Sequence, residues 1–580
     1  MDYKEKYEYW QTSDVVDAQT KQELEALKAN DGEIQERFFK DLEFGTGGLR
    51  GILGAGSSRM NKYTVRKATQ GLANYICDNG ESAKKRGVAI SYDSRHFSPE
   101  FAMESACVLA ASGIRAYVFD RLHPTPVLSF AVRELNCFAG IMITASHNPA
   151  NYNGYKVYGE DGAQLNVADS NKVIGYMNRM DIFQDVKAMD EKSAKEAGLI
   201  TMIGDDIREK FVSHVLSCRK NPDVENDTAK EIKIVYTPFH GTGLVPVTEA
   251  LDKAGYKNVY VVEEQAQPDP EFSTVKSPNP EEKEGFQFAI KLAEKVGADV
   301  ICGTDPDADR IGVLVKDANG SYEVMTGNQM GLLLTEYILS SAAEKNQLTS
   351  KDYIVKTIVT TDLTKKIAEN YGVRMFDVYT GFKFIAEVIK KHDEMNDGNY
   401  YFGFEESYGC LPGTYARDKD AVAATLLVCE LVAVLKRKGQ TLADAIQNIY
   451  KKYGCCVERT VSVYMEGLDG MQKMAALMEK VAADPFKKIG ETKIVAFRNY
   501  NEDFRLDFAT GQKEAIGFEP SNVLYFELAG GGFFVIRPSG TEPKIKFYFG
   551  CNGDNQEIVD EKLDRIIEDI TNRVVKEKLL

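Results

Sequence analysis

The sequence predicts three successive α/β domains with mixed, mostly parallel sheets, followed by a smaller α+β domain with an antiparallel sheet. From Gly87 onward, apolar strands alternate with helices, a pattern typical of a parallel sheet covered on both faces. The pattern begins again at residues 232–238 and at 354–359. After Gly454 it changes to strands separated by turns, with one long terminal helix. This change indicates a different, antiparallel domain.

The length of the chain supports several domains. It has 580 residues, whereas a single core stops growing at about 250–300 residues. The predicted segments are a helical N-terminal extension (1–44), α/β domains at 45–205, 206–325 and 326–454, and a C-terminal α+β domain at 455–580. The extension is polar and helix-rich, and we expect it to pack on the first α/β domain.

The composition excludes several classes of partner. A net charge of −16 argues against nucleic acid and anionic membrane surfaces, because both repel an acidic face. The longest apolar stretch, residues 421–435, contains Glu430 and predicts a buried helix rather than a membrane span. The N-terminus lacks the apolar core of a signal peptide, and the ten cysteines include no C-x-x-C pair. We therefore expect a cytoplasmic protein with reduced thiols, either a monomer or a weak homo-oligomer.

The first domain contains a polar loop at residues 144–149, Thr-Ala-Ser-His-Asn-Pro. It follows an apolar strand, and ligands bind at that end of strands in open α/β sheets. Ser146 and His147 are its chemically active members. The same residue types are also ordinary turn formers, so the segment alone favours a simple turn. A serine hydrolase is disfavoured because the sequence has no G-x-S-x-G elbow.

A helix is predicted after the first strand of this domain. It is expected to begin at Ser98, with Ser98 as its N-cap and Pro99 at the first helical position.

An acidic loop in the second domain has three carboxylates two residues apart: Asp305, Asp307 and Asp309. Hard oxygen ligands in this spacing suit Mg²⁺. An EF-hand is excluded, because Arg310 occupies the sixth position, where glycine is required. A solvated acidic turn is the alternative, but three neighbouring carboxylates repel one another unless a cation offsets their charge.

A long proline-rich segment lies in the same domain, before the acidic loop. Residues 265–282 carry four prolines, too many for a regular helix or strand. They form either an ordered loop or a linker, and within an α/β domain we expect a functional loop.

Two further loops lie in the third and fourth domains. Residues 403–409 contain Glu405 and Ser407, a carboxylate and a hydroxyl that could read sugar hydroxyls, and Arg417 and Lys419 follow. Acidic strand ends are common, so this loop is weak evidence alone. In the last domain, an arginine, hydroxyls and a glycine turn could cradle a phosphate; a plain hairpin turn is the alternative. The residues are Arg537, Ser539, Gly540 and Thr541.

Together these loops resemble those of the α-D-phosphohexomutases, in which four domains each contribute one loop to a central cleft. The resemblance covers nearly the whole chain, in the family's order. It includes residues 45–50, 144–149, 305–310, 405–407 and 537–541. The N-terminal extension, and Pro306 in place of the glycine that many relatives carry, resemble the longer phosphoglucomutase-2-like branch.

The resemblance implies a mechanism and a set of roles. Ser146 would be phosphorylated, and Mg²⁺ would be held by Asp305, Asp307, Asp309 and an oxygen of that phosphoserine. A phosphosugar substrate would pass through a hexose 1,6-bisphosphate that also serves as activator; glucose is the first choice of sugar, and mannose is the alternative. Arg310 would neutralise charge on the phosphoryl group. Base candidates are Lys419, favoured by the resemblance, Lys156 and His147. Substrate contacts are expected from Arg50, Thr380, Gly381, Glu405, Ser407, Arg417, Arg537, Ser539, Gly540 and Thr541.

Other functions remain open at this stage. A phosphopentomutase or phosphoglucosamine mutase would use the same fold, and the loops read hydroxyls that several sugars share. A haloacid-dehalogenase-type phosphatase would use Asp305 as nucleophile, but Asp309 stands where its loop requires Thr or Val. A non-catalytic phosphosugar sensor is disfavoured because Ser146 and all three aspartates are present.

Overall fold

The computed structural model describes residues 1–45, 47–317, 320–465, 470–539 and 544–573. Contacts divide the chain into two compact units. The first comprises Met1–Thr357 and Phe376–Ala443, and the second comprises Ile358–Met375 and Asp444–Leu580. Within the described residues, no helix combines the length and apolarity needed to span a membrane.

Three helices form the N-terminal extension. They are α1 (Tyr3–Thr12), α2 (Ala18–Ala26) and α3 (Asp31–Phe38). Trp10 of α1 lies edge-on to Phe38 of α3, with a distance of 5.8 Å between ring centroids. It also lies edge-on to Tyr63 of the first α/β domain, at 5.3 Å. Edge-to-face aromatic pairs of this kind are favourable, and the pair between Trp10 and Tyr63 attaches the extension to that domain.

The first α/β domain is built on a six-stranded mixed sheet of order β1-β5-β4-β2-β3-β6. Strand β2 is parallel to β3 and β4, β3 is parallel to β6, and β5 is antiparallel to β1 and β4. Its elements are β1 (Gly48–Ile52), α4 (Lys62–Asp78), α5 (Gly80–Arg86), β2 (Val88–Tyr92), α6 (Ser98–Ala111), β3 (Ala116–Phe119), α7 (Thr125–Glu134), β4 (Ala139–Ile143), β5 (Tyr152–Gly159), α8 (Val167–Met177), α9 (Glu191–Glu196) and β6 (Ile200–Ile203).

The N-cap predicted for helix α6 is wrong. The helix does begin at Ser98, but its N-cap is Phe97, which has φ +64° and makes no side-chain capping bond. The Ser98 hydroxyl donates instead to Asp93 Oδ1 at 2.9 Å. A buried carboxylate therefore competes successfully for the hydroxyl.

The second α/β domain has a five-stranded sheet of order β11-β10-β9-β7-β8. Strand β7 is parallel to β8 and β9, whereas β10 is antiparallel to β9 and β11. Its elements are α10 (Asp205–Ser217), α11 (Pro222–Thr228), β7 (Lys233–Thr237), α12 (Leu244–Lys253), β8 (Asn258–Val261), α13 (Glu263–Ala266), a 3₁₀ helix (Lys283–Phe286), α14 (Gln287–Val296), β9 (Val300–Thr304), β10 (Ile311–Lys316) and β11 (Tyr322–Val324).

The third sheet has the order β13-β12-β14-β15, with β12 parallel to β14 and β15 antiparallel to β14. The elements are α15 (Gly327–Glu344), β12 (Tyr353–Thr357), α16 (Leu363–Tyr371), β13 (Arg374–Val378), α17 (Phe382–Met395), β14 (Tyr400–Phe404), β15 (Cys410–Leu411), α18 (Ala421–Arg437) and α19 (Leu442–Tyr453). Helix α18 is buried along nearly its whole length, which confirms the buried helix predicted from its apolar sequence.

An eight-stranded sheet forms the C-terminal part of the chain, with the main order β16-β23-β22-β21-β18-β19-β20 and with β17 paired to β18. All its strand pairs are antiparallel, as predicted. The elements are β16 (Cys455–Tyr464), α20 (Gly470–Ala483), β17 (Lys488–Ile489), β18 (Thr492–Asn499), β19 (Phe504–Asp507), β20 (Lys513–Ala515), β21 (Leu524–Leu528), β22 (Gly532–Pro538), β23 (Lys544–Gly553) and α21 (Gln556–Thr571).

Candidate active site

Ser146 lies in a tight loop directly after strand β4. Its φ of +52° is in the left-handed region, which few non-glycine residues adopt. Thr144 Oγ1 accepts a hydrogen bond from the Ser146 backbone N–H at 2.8 Å and donates to Asp93 Oδ2 at 2.6 Å. The loop therefore holds Ser146 in a defined conformation, with only 3% of the residue exposed.

The guanidinium of Arg95 holds this loop by its main chain. Arg95 Nη1 donates to the carbonyl oxygens of Pro149 and Tyr152 at 2.8 and 3.1 Å. Arg95 Nη2 donates to the carbonyl of Ser146 at 2.6 Å and to that of Asn148. We call these four contacts the carbonyl clamp.

Sequence reasoning missed the clamp and its buried counter-ion. Arg95 Nε lies 3.3 Å from Asp93 Oδ2, and neither side chain is exposed to solvent. A positional signal was available: Asp93 follows β2 just as Thr144 follows the neighbouring parallel strand β4. Both therefore lie at the carboxyl edge of one sheet, where functional loops gather.

The three aspartates lie in the turn between antiparallel strands β9 and β10. Ala308 in this turn also has a positive φ, +48°. Carboxylate oxygens of the three aspartates lie within 4.8 Å of one another, and all three residues are buried. Ser146 Oγ donates to Asp305 Oδ2 at 2.6 Å, so the fold brings the predicted serine and the predicted metal loop into contact.

The acidic cluster has the donor set of a divalent cation site. Asp307 Oδ1 and Asp309 Oδ1 are buried and have no hydrogen-bond partner among the described residues. Buried polar atoms normally have partners, so these oxygens fit a bound ion. Burial and the charges of Asp307 and Asp309 raise the pKa of Asp305 well above its ordinary range. A hard cation held by these oxygens would remove that penalty.

Lysine ammonium groups offset part of this negative charge. Lys156 Nζ lies 2.8 Å from Asp307 Oδ2, and Lys419 Nζ lies 3.0 Å from Asp309 Oδ2. Burial alone would lower the pKa of each lysine, but the neighbouring carboxylates outweigh it and raise both pKa values above the ordinary range. In this state both lysines are protonated.

His147 differs from the lysines in its charge state. Its Nδ1 lies 3.2 Å from Ser146 Oγ. Burial, together with the nearby cations Arg310 and Arg50, lowers the pKa of His147 well below its usual value. Its imidazole is therefore neutral at pH 7.

The third predicted loop follows strand β14. Glu405 Oε1 accepts a hydrogen bond from the Gly381 backbone N–H at 2.8 Å, so Glu405 joins the turn that contains Thr380. The Thr380 hydroxyl oxygen is buried and lacks a hydrogen-bond partner in the described part of the chain. Burial raises the pKa of Glu405. Ser407 is partly exposed.

Gly409 of the same loop lets Lys419 reach the acidic cluster. A Cβ at Gly409 would lie 2.0 Å from Lys419 Cδ, closer than real atoms approach. Gly409 also forms an isolated antiparallel bridge with Arg310. The loop at residues 403–409 and the acidic loop are therefore joined through their main chains.

Other predicted substrate residues have different surroundings. Arg50 Nη1 donates to Asn148 Oδ1 at 3.3 Å, beside Ser146. Arg417 is 3% exposed and donates to the carboxylate of Asp393 and the carbonyl of Thr414. Burial lowers the pKa of Arg417 to about 10. Its role in substrate binding stays a prediction.

The fourth predicted loop belongs to the second unit. Arg537 lies in strand β22, and its Nη1 donates to the Tyr548 hydroxyl at 3.4 Å. The Ser539 backbone N–H donates to the Lys544 carbonyl at 2.7 Å. Gly540 and Thr541 lie outside the described residues, as does Thr46 of the motif at residues 45–50.

Family models match almost the whole chain. The matches are to the phosphoglucomutase/phosphomannomutase alpha/beta/alpha domain I at residues 41–182, domain II at 209–320, domain III at 326–453 and the C-terminal domain at 472–568.

Curated relatives include proteins named phosphoglucomutase. The one from Staphylococcus haemolyticus is 37% identical over 539 residues, which are 91% of this chain and 94% of the relative. The one from Staphylococcus aureus strain USA300 is 38% identical over 542 residues, 93% and 94% of the two chains.

Solved structures share the fold at low identity. A putative phosphomannomutase from Thermus thermophilus has a TM-score of 0.67 at 19% identity, with 92% of this chain and 99% of that chain covered. The open form of parafusin, a phosphoglucomutase from Paramecium, has a TM-score of 0.67 at 18% identity, with 91% and 94% covered.

Proposed function

The chain belongs to the phosphoglucomutase/phosphomannomutase family, and from this membership we propose that it interconverts a hexose 1-phosphate and the matching hexose 6-phosphate, with Ser146 as the phosphate carrier. The protein is thus an enzyme of the isomerase class that moves a phosphoryl group on one sugar. The observation that carries the role of Ser146 is its hydrogen bond to Asp305 at the edge of a buried three-carboxylate cluster.

Mg²⁺ is the proposed cofactor. Asp305, Asp307 and Asp309 would hold it together with an oxygen of phosphorylated Ser146, and the two unpartnered carboxylate oxygens support this assignment. A bound Mg²⁺ supplies positive charge that stabilises the phosphoryl group during transfer. Phosphoryl transfer otherwise requires positioning and electrostatic stabilisation from the protein.

The reaction proceeds in two transfers. A free sugar hydroxyl attacks the phosphorus of phospho-Ser146, the bond from phosphorus to Ser146 Oγ breaks, and a hexose 1,6-bisphosphate forms. The bisphosphate then reorients and returns its other phosphoryl group to Ser146. Arg310 borders the metal loop, and its guanidinium neutralises negative charge on the oxygens of the phosphoryl group during transfer. Arg537 and Ser539 are the proposed grip on the phosphate that is not reacting.

The hydroxyl proton needs an acceptor, for which Lys419 is our proposal. Its Nζ lies in the carboxylate cluster, beside Asp309. Lys419 accepts a proton only if the charges of Asp309 and Asp418 are offset when substrate is bound, because these carboxylates raise the pKa of Lys419 in the described state. His147 is the alternative acceptor because its imidazole is neutral. Separate Lys419→Met and His147→Gln variants distinguish the two: the acceptor is the residue whose replacement removes the acidic limb of the pH–rate profile, where activity falls as a general base becomes protonated.

Glucose is the sugar we propose first, since curated relatives over most of the chain carry the name phosphoglucomutase. Glu405 would bind sugar hydroxyls, with Ser407 and the buried Thr380 hydroxyl beside it. Mannose, glucosamine and pentose phosphates are the competing substrates. Values of kcat/KM for glucose, mannose, glucosamine and ribose 1-phosphates, measured side by side with bisphosphate activator, rank them directly.

Intact-mass spectrometry tests the central assignment. Protein incubated with the bisphosphate should carry one phosphoryl adduct that peptide mapping places on Ser146, and Ser146→Ala should lose both the adduct and the mutase activity. Ser213→Ala is a matched control, because Ser213 is exposed on helix α10. Full activity in Ser146→Ala would refute the assignment, and an adduct at Asp305 would favour the dehalogenase-type chemistry.

A further inference from the structure

The proline-rich segment predicted at residues 265–282 begins in helix α13, which ends at Ala266. Its remainder, residues 267–282, is an ordered loop of the second domain and is called the proline-rich loop below. His240 fixes its first half: Nδ1 lies 2.9 Å from the Gln267 carbonyl, and Nε2 lies 2.8 Å from Thr274 Oγ1. The Asp269 carboxylate accepts hydrogen bonds from the backbone N–H groups of Glu271 and Ser273 at 3.0 Å each. A loop with internal and external bonds of this kind is a rigid support rather than a linker.

One side of this loop contacts the Ser146 loop and its clamp. Ser277 Oγ donates to the His147 carbonyl at 3.1 Å. The Phe272 ring lies against the Arg95 guanidinium, 4.9 Å from ring centroid to Cζ. His96 Nε2 lies 2.6 Å from Glu271 Oε1. These contacts link the loop to the segment that carries the phosphate acceptor.

The far end of the same loop contacts Arg310. Glu281 Oε1 accepts a hydrogen bond from Arg310 Nη1 at 2.8 Å. Arg310 Nε is buried without a hydrogen-bond partner among the described residues, 3.9 Å from Asp309 Oδ1. One edge of the guanidinium is thus held by Glu281, and its Nε is left beside the carboxylate cluster. The hydrogen bond from Arg310 Nη1 to Glu281 therefore fixes that edge of the guanidinium.

We propose that Glu281 is a positioning residue for phosphoryl transfer, which aims the Arg310 guanidinium and keeps it from collapsing onto the carboxylates of the metal loop. The inference rests on the proposed function, because it gives Arg310 the task of meeting the transferred phosphoryl group. Arginine is a planar fork whose bidentate contacts depend on orientation. Because Glu281 holds one edge of the Arg310 guanidinium, the group is already oriented for contact with the transferred phosphoryl group.

The test is a double-mutant cycle of Glu281→Ala with Arg310→Met, measured on the full-length enzyme with saturating Mg²⁺ and bisphosphate. Glu281→Ala should lower kcat about 10- to 100-fold, because a misplacement of about 1 Å costs this much, with KM for the sugar phosphate within about twofold. In the Arg310→Met background, Glu281→Ala should have no further effect. Glu281→Gln, which keeps the acceptor oxygen, should restore most of kcat.

Two further measurements separate positioning from stability. Transfer of the phosphoryl group from the bisphosphate to the protein, followed by intact mass, should slow in Glu281→Ala by the same factor as kcat. Glu284→Gln, at an exposed acidic residue of the adjoining 3₁₀ helix, should match the wild type in both assays and in melting temperature.

The possible failures are distinguishable. Wild-type turnover with unchanged kinetics in Glu281→Ala overturns this inference alone. Equal losses from Glu281→Ala in both Arg310 backgrounds also overturn it, because Glu281 would then act without Arg310. A wild-type protein without mutase turnover overturns the proposed function and this inference together.

Discussion

Replacing Arg95 with Met should release the Ser146 loop while the sheet beneath it stays folded. The change keeps a long side chain but removes the four hydrogen bonds of the carbonyl clamp. It also leaves Asp93 as an unpaired buried carboxylate, since Asp93 is 1% exposed and pairs with Arg95.

The size of the effect follows from the buried pair. Breaking a buried ion pair by removing one partner costs about 3–5 kcal/mol, and hydrogen bonds from a charged donor contribute about 1.5–3 kcal/mol each, without adding in full. We take about 3–5 kcal/mol as the loss in the free energy that opposes local opening of the loop. Because each 1.4 kcal/mol changes the opening equilibrium tenfold, amide exchange in the loop should accelerate roughly 100- to 4,000-fold.

Hydrogen-exchange mass spectrometry measures this directly on peptides that cover residues 144–154. Arg115→Met is the matched control, because Arg115 is an exposed arginine of the same domain. The double variant Asp93→Asn/Arg95→Met should exchange more slowly than Arg95→Met, because the unpaired charge is then removed. Wild-type exchange of these peptides in Arg95→Met would refute the reasoning.

Three other perturbations test the site and the fold around it. Gly409→Ala should lower kcat about 100-fold with the protein still folded, because the new methyl displaces the Lys419 side chain; unchanged kcat would show that Lys419 can lie elsewhere. Removing Mg²⁺ with EDTA should abolish turnover, and Asp309→Asn should weaken Mg²⁺ binding in titration calorimetry by more than about tenfold; wild-type affinity would place the ion elsewhere. Burial lowers the pKa of His123 below its unfolded value, so its stabilising contribution is present above about pH 6.5 and is lost as the pH falls through the folded pKa. His123→Asn should therefore flatten the fall in melting temperature below pH 6.5, and an unchanged slope would contradict this.

Much of the architecture could be predicted because hydrophobic periodicity reports it directly. Alternating apolar strands and helices predicted the mixed sheets, and the change of pattern after Gly454 predicted the antiparallel sheet. The acidic loop was also visible, since three carboxylates at a spacing of two residues are unusual near buried strands. The contact between Ser146 and Asp305 could be expected only through the family resemblance, because the two residues are 159 positions apart.

Other features were invisible for physical reasons. In the sequence, Asp93 and Arg95 look like two charged residues of an ordinary turn. They stabilise the Ser146 loop because both side chains are completely buried, and a single sequence does not report burial. Local rules favour serine as the cap of this helix, but the Ser98 hydroxyl instead donates to Asp93, five residues earlier, whose burial the sequence does not report. The role of the proline-rich loop depends on contacts with two other loops, which no local pattern encodes.

The carbonyl clamp also bears on how this enzyme can be redesigned. Arg95 recognises main-chain oxygens, and every residue type supplies the same oxygen. The shape of the Ser146 loop is thereby separated from the identity of most of its side chains. A mutant library that keeps Asp93 and Arg95 fixed can vary positions 148 and 150 and so alter access to Ser146. The new side chains need not stabilise the loop, because Arg95 holds its main chain.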